Sequence, residues 1–163
     1  REAATELEVL TRMKPQDAGN FSALGAAYMN LGEHGLAVEA FRQTTVLEPK
    51  EANNQRNLAM AQMASGKHDE AISTLNNARA LKPNDYDILF SLSISYMQRS
   101  RYDDAIAVLK DALQIKPDSE QAVMSLAMTY VSKRDLESAR LLLPRLKELD
   151  QDLAKILEKA LEK

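Results

Sequence analysis

The 163-residue sequence has no cysteine, which removes disulfides, thiolate nucleophiles and cysteine metal ligands together and leaves the compartment open. Its only imidazoles are His34 and His68, so most hydrolase and metal constellations are out of reach. No apolar run approaches the ~18 residues of a membrane-spanning helix. The opening Arg1-Glu2-Ala3-Ala4-Thr5-Glu6 has none of the pattern of a secretory signal. Neither sign of charge is in excess: 21 Lys and Arg against 24 Asp and Glu leave −3, too little positive charge to neutralise phosphates, and nucleic acid is not an expected partner. The five glycines are scattered and form no loop that could cradle a phosphate. What is present, 45% hydrophobic and 28% charged residues, is the composition of a soluble chain that buries a core.

The prolines reveal the organisation. Pro15, Pro49, Pro83 and Pro117 are each 34 residues from the last. The same register carries Ala3, Ala37, Ala71, Ala105 and Ala139; Leu7, Phe41, Leu75, Leu109 and Leu143; and Leu24, Leu58, Leu92 and Leu126. A small residue, Gly25, Ala59, Ser93 or Ala127, follows each of those last leucines, where a larger side chain would hold two helices apart. A period of this length implies a stacked array.

Within one period the apolar spacing is helical twice. Phe21, Leu24, Gly25 and Tyr28 fall at i, i+3, i+4 and i+7; Leu31-Gly32 interrupts; Ala37, Phe41, Thr44 and Leu47 form a second stripe that ends at Pro49. Proline cannot donate the helical hydrogen bond, and Lys14, Lys82 and Lys116 suit the negative helix end just before three of the prolines. Asp17, Asp85 and Ser119 are candidate N-caps. Each repeat is therefore expected to be a helix hairpin.

Phe21, Leu24-Gly25, Tyr28, Gly32, Ala37, Phe41 and Pro49 resemble the signature of the tetratricopeptide repeat (TPR), and later repeats keep most of it. The resemblance implies an all-α fold, a right-handed α-solenoid of stacked antiparallel hairpins forming one domain. Its divisions are residues 1–17, the second helix of a truncated preceding repeat; 18–51, 52–85 and 86–119, three repeats; 120–153, a degenerate repeat; and 154–163, a capping helix. The chain does not begin with Met, and a parent protein longer than this sequence is expected. In the fourth repeat Pro144 sits inside the second helix and predicts a kink or break between Arg140 and Pro144. The terminal segment, apolar at Leu153, Ile156, Leu157, Ala160 and Leu161, is expected to cover Leu141, Leu142 or Leu146.

Two features break the pattern. Gln55 and Gln62 stand in the second repeat where its neighbours have large apolar or tyrosine residues, and predict a looser hairpin interface, because a polar group facing a core destabilises unless paired. The mixed charge runs Lys133-Arg134-Asp135 and Arg145-Lys147-Glu148 read as solvated faces, and the two histidines as surface residues. No cofactor, metal site or enzyme activity is expected.

Some members of the family hold a terminal carboxylate in a Lys/Asn clamp. Its positions here are Ser22, Ala26, Asn57, Asp87 and Ser91, or one repeat later Arg56, Met60, Ser91, Gln121 and Ser125, so that clamp is absent. In the family the groove is lined by first-helix positions 5, 9 and 12, which here are Ser22, Ala26, Met29, Arg56, Met60, Met63, Phe90, Ile94, Met97, Met124, Met128 and Val131. Six of the seven methionines fall in this set, where proportional placement would put about half of one, so the methionines belong to one surface. Flexible thioethers repack around varied ligands, and they also fill irregular contacts between helices. Asn53, Arg56 and Asn57 at one end could hydrogen-bond a ligand backbone or an acidic group.

These readings lead to a non-catalytic interaction scaffold that binds a partner peptide or amphipathic helix in a Met-rich concave groove. A homo-oligomeric scaffold that assembles through the same groove is the alternative, as is a regulatory segment of a larger enzyme. Cytoplasm is the expected location, with bacterial periplasm also compatible.

Overall fold

The computed structural model describes residues 1–162, and among them every regular element is an α-helix. Two compact units divide at Pro83. The first holds α1 (Glu2–Met13), the hairpin of α2 (Ala18–Asn30) and α3 (His34–Leu47), and the hairpin of α4 (Ala52–Ala64) and α5 (His68–Leu81). The second holds α6 (Tyr86–Gln98) and α7 (Tyr102–Ile115), then α8 (Glu120–Ser132) with α9 (Leu136–Leu141) and α10 (Leu143–Leu149), and α11 (Gln151–Leu161). Within each unit, every helix packs on the next in sequence, and α11 also returns onto α8.

The helix starts follow the side chains that can cap them. Asp17 accepts from the Asn20 N–H, Asp85 from those of Asp87 and Ile88, and Ser119 from that of Ala122, each satisfying backbone donors that a helix leaves open. The bend inside each hairpin is a left-handed residue: Gly32 (φ 74°), Gly66 (φ 77°), Ser100 (φ 55°) and Arg134 (φ 66°). The next backbone N–H then bonds back to the carbonyl of Tyr28, Gln62, Tyr96 or Tyr130, closing the first helix with the same motif four times. Glycine adopts this conformation without strain; Ser100 and Arg134 are held in it by the turn.

The period-34 alanines Ala37, Ala71, Ala105 and Ala139 are all fully buried, where the two helices of a hairpin approach. The same approach explains Gly25: a Cβ there would lie 2.8–2.9 Å from three ring atoms of Phe41. The three other small residues in this register, Ala59, Ser93 and Ala127, occur in repeats with Leu75, Leu109 and Leu143 in the phenylalanine's place, so size is balanced pair by pair.

In the fourth hairpin the second helix is interrupted at Leu142. Pro144 then occupies the first turn of α10, where no backbone donor is required of it. Beyond it, Ala154 and Leu157 of α11 are buried with Val123, Ala127 and Leu146. Of the three leucines expected beneath the terminal helix, Leu146 is buried in this cluster and Leu142 packs against it, whereas Leu141, just before the break, is 80% exposed.

Gln62 is buried and its Oε1 has no hydrogen-bond partner, while Gln55 is half-buried. The charge runs are more engaged than a solvated face requires. Lys133 pairs with Asp103 of the preceding hairpin, and Arg145 donates to the Pro117 carbonyl. Asp135 caps α9, and hydrogen bonds from the Ser138 hydroxyl and N–H hold its carboxyl below the usual range.

Candidate functional site

In the first unit, α2 and α4 bring together Ser22, Ala26, Met29, Asn30, Asn57 and Met60 around an open cavity of about 410 Å³. Helical spacing places Ser22, Ala26 and Met29 on one face of α2, and Met60 occupies the corresponding face of α4. The remaining lining residue, Phe41, comes from α3. Because Gly25 has no side chain, the Phe41 ring passes beneath α2 and contributes an aromatic wall to a cavity otherwise built from first helices.

Met60 is the most open of the lining methionines, 46% exposed. Met29 is half-buried and packs on the core of Ala37, Val38, Phe41, Leu58 and Ala61, so it serves both packing and surface. Met63 and Arg56 are half-buried and do not line this cavity. Asn57 does, but Asn53 opens onto a separate depression of about 510 Å³ with Glu48, Pro49, Lys50, Glu51 and Asn54. Thus of the polar trio only Asn57 is at the methionine cavity. Asn30 and Phe41 belong to it although their spacing did not single them out. The available signal was Gly25: a glycine opposite a phenylalanine lets a ring reach the far side of the hairpin.

In the second unit, Phe90, Ile94 and Met97 of α6 and Met124, Met128 and Val131 of α8 lie along the corresponding first-helix faces. Phe90, Met97, Met124, Met128 and Val131 are half-buried there. The Phe90 ring stacks on Tyr86 with centroids 5.7 Å apart and planes 8° from parallel. Tyr86 is itself fixed by a 2.6 Å hydrogen bond between its hydroxyl and that of Ser119, and by the Lys116 ammonium 4.2 Å above its ring. Met124, Met128 and Val131 pack against the cluster that Leu146, Ala154 and Leu157 close from the other side. Their surface is therefore shared between solvent and core.

Tyr28 donates a 2.6 Å hydrogen bond to Glu8 of α1; that bond, then burial and the carboxylate charges of Glu8 and Glu33, push its phenol up to about 12. His34 and His68 begin α3 and α5, half-buried rather than on the open surface, each with Nδ1 shielded from solvent. Among the described residues no helix is long and apolar enough to cross a membrane.

Comparison with known proteins follows the repeat register. Models of the tetratricopeptide repeat match residues 20–50, 56–120 and 96–161. No curated protein sequence matches the chain. Among solved structures, that of MamA protein superposes with a TM-score of 0.84 at 24% identity, covering 94% of this chain and 84% of that one. A thermophilic TPR protein in Thermus thermophilus gives 0.75 at 24% identity, covering 98% and 89%. YrrB, described as a TPR protein with an unusual peptide-binding site, gives 0.84 at 18% identity, covering 97% and 82%. Identities this low carry the fold, an α-solenoid of helix hairpins. Taken with the three repeat matches, they establish that the chain belongs to the tetratricopeptide repeat family.

Proposed function

We propose that this chain is a non-catalytic interaction module whose first-helix faces bind an apolar or amphipathic peptide segment of a partner protein. The observation that carries the reading is the methionine distribution. Met29, Met60, Met63, Met97, Met124 and Met128 all lie on the exposed or half-exposed side of first helices, and none is buried. Thioethers placed there supply apolar contact without fixed shape, which suits a peptide whose side chains vary.

The cavity of the first unit supplies the two kinds of contact that peptide capture needs. Phe41, Met29 and Met60 offer apolar surface to a side chain, while the Asn30 and Asn57 amides can each donate to and accept from a peptide backbone. The likeness to YrrB, whose description names a peptide-binding site, favours a peptide over a small metabolite as the ligand class.

The test compares capture of partner proteins by the native chain, by Asn57→Ala with Met60→Ala, and by Phe90→Ala with Met97→Ala. Each lost apolar anchor in a well-packed site weakens binding by about 1–3 kcal/mol, so tenfold or greater loss is expected. Met60 is open enough that its truncation creates no cavity, and the first variant keeps its melting temperature. A variant that stays folded and captures the same partners at native affinity refutes the reading for that face. A mass that grows with concentration in the absence of any partner identifies self-assembly instead.

A further inference from the structure

No charged side chain lines the cavity between α2 and α4; its polar groups are the neutral Ser22, Asn30 and Asn57. Charge is close at hand on the same unit. The depression at the start of α4 carries Glu48, Lys50 and Glu51, and the neighbouring charge on α4 itself is Arg56, half-buried but not lining the cavity. The cavity is thus a neutral spot within a charged surface.

Its floor is aromatic and fixed. A Cβ on Gly25 would lie 2.9, 2.8 and 2.9 Å from Cδ1, Cε1 and Cε2 of Phe41. Cδ1 and Cε2 stand across the ring from each other, so near-equal distances place Gly25 over the ring's centre, covering one face. The ring is 5% exposed and packs with Ala37, Val38, Leu58 and Ala61, which leaves it no room to turn away. Two thioethers flank it: Met29 is half-buried on the same core, and Met60 is 46% exposed and can adjust to an occupant. The next two repeats pair Ala59 with Leu75 and Ser93 with Leu109, so neither offers a ring at this place.

This combination discriminates among side chains. An aromatic occupant gains edge-to-face or offset contact with Phe41 and sulfur contact with Met29 and Met60, whereas an aliphatic one gains only burial. A lysine or arginine would lose hydration with no carboxylate on the lining, beside a charge of its own sign on Arg56. A carboxylate would be desolvated against the ring and thioethers with only neutral donors to meet it. The open cavity of about 410 Å³ has room for one large ring and its flanking peptide groups.

We propose that this cavity is an aromatic-anchor site, which takes the phenylalanine, tyrosine or tryptophan side chain of a peptide onto Phe41 between Met29 and Met60. The proposal rests on the reading of the chain as a peptide-binding module and names the residue that its first unit selects.

The test uses the whole chain labelled with carbon-13 at the methionine methyls, titrated with blocked pentapeptides Gly-Ser-X-Ser-Gly in which X is phenylalanine, leucine, lysine or glutamate. The phenylalanine peptide should bind roughly three- to tenfold more tightly than the leucine peptide, with the charged pair weaker still. Its ring current should move the Met29 and Met60 methyl signals and leave that of Met13 in place. Phe41→Leu should erase the preference for phenylalanine over leucine. Should that variant not fold, Ala26→Leu replaces it, because Ala26 is an exposed lining residue whose enlargement fills the cavity without touching the core, and binding should be lost. Leucine, lysine or glutamate peptides that bind as tightly as the phenylalanine peptide overturn the proposal, as do Met29 and Met60 signals that no peptide moves. If Asn57→Ala with Met60→Ala loses captured partners while no aromatic preference is seen, the interaction module stands and the aromatic anchor falls. An aromatic preference in a chain that captures no partner upholds the anchor site and refutes the broader reading.

Discussion

Replacing Gly25 by alanine tests whether small and large residues are matched across each hairpin. The added Cβ would sit 2.8 Å from Phe41 Cε1 and 2.9 Å from its Cδ1 and Cε2, against an ordinary carbon contact of about 3.5–4.0 Å. Phe41 is buried with Ala37, Val38, Leu58 and Ala61, so the ring cannot retreat freely. Overpacking of this kind destabilises by about 1–3 kcal/mol, while alanine in a helix interior recovers about 1 kcal/mol relative to glycine. The net expectation is a loss of about 1 kcal/mol, or a few degrees of melting temperature in a chain of this size. Phe41→Leu alone should also destabilise, by leaving space beneath Gly25. The double variant restores the alanine–leucine combination of Ala59 and Leu75, and should be more stable than the sum of the single changes by about 1–2 kcal/mol. Urea unfolding followed by circular dichroism gives the cycle. Hydrogen exchange of α2 and α3 amides localises it, which matters because repeat arrays need not unfold in one step. A Gly25→Ala protein as stable as the native chain, with no coupling to Phe41→Leu, would refute the matching of sizes.

Three further outcomes follow from the geometry. Ser100→Gly and Arg134→Gly relieve left-handed backbone that costs an L-residue about 1–2 kcal/mol, so each should raise unfolding free energy by a few tenths to about 1 kcal/mol after glycine's own entropy loss, measured by urea titration. Glu8→Ala should return the Tyr28 phenol from about 12 toward its ordinary value near 10, read from phenolate absorbance; because the folded value is the raised one, the Glu8 contact contributes stability in full below pH 10 and loses it as pH rises through about 12. Removing α11 should expose Val123, Ala127 and Leu146 and produce aggregation or strong binding of an apolar dye, whereas Leu141→Gln, at a position already 80% exposed, should leave melting unchanged.

The sequence alone determined whatever depends on neighbours along the chain. Proline, alanine and leucine recurring every 34 residues dictate hairpins because each period contains two helical stripes and two stops. Asp17, Asp85 and Ser119 were legible as caps because a cap acts within three residues, and the break near Pro144 because a missing donor acts within one turn. The placement of six methionines on one stripe was equally a matter of helical period.

Tertiary packing decided how much of each stripe remains surface. Met60 stands open, whereas Met128, in the equivalent position two repeats on, leans on a cluster that α11 completes from the end of the chain. Phe41 becomes a wall of the cavity only because it meets Gly25, 16 positions away along the chain, at a distance periodicity does not specify. Lys133 and Arg145 gain partners in the preceding repeat for the same reason. Helical period fixes the direction of a side chain, but burial depends on what another segment brings against it.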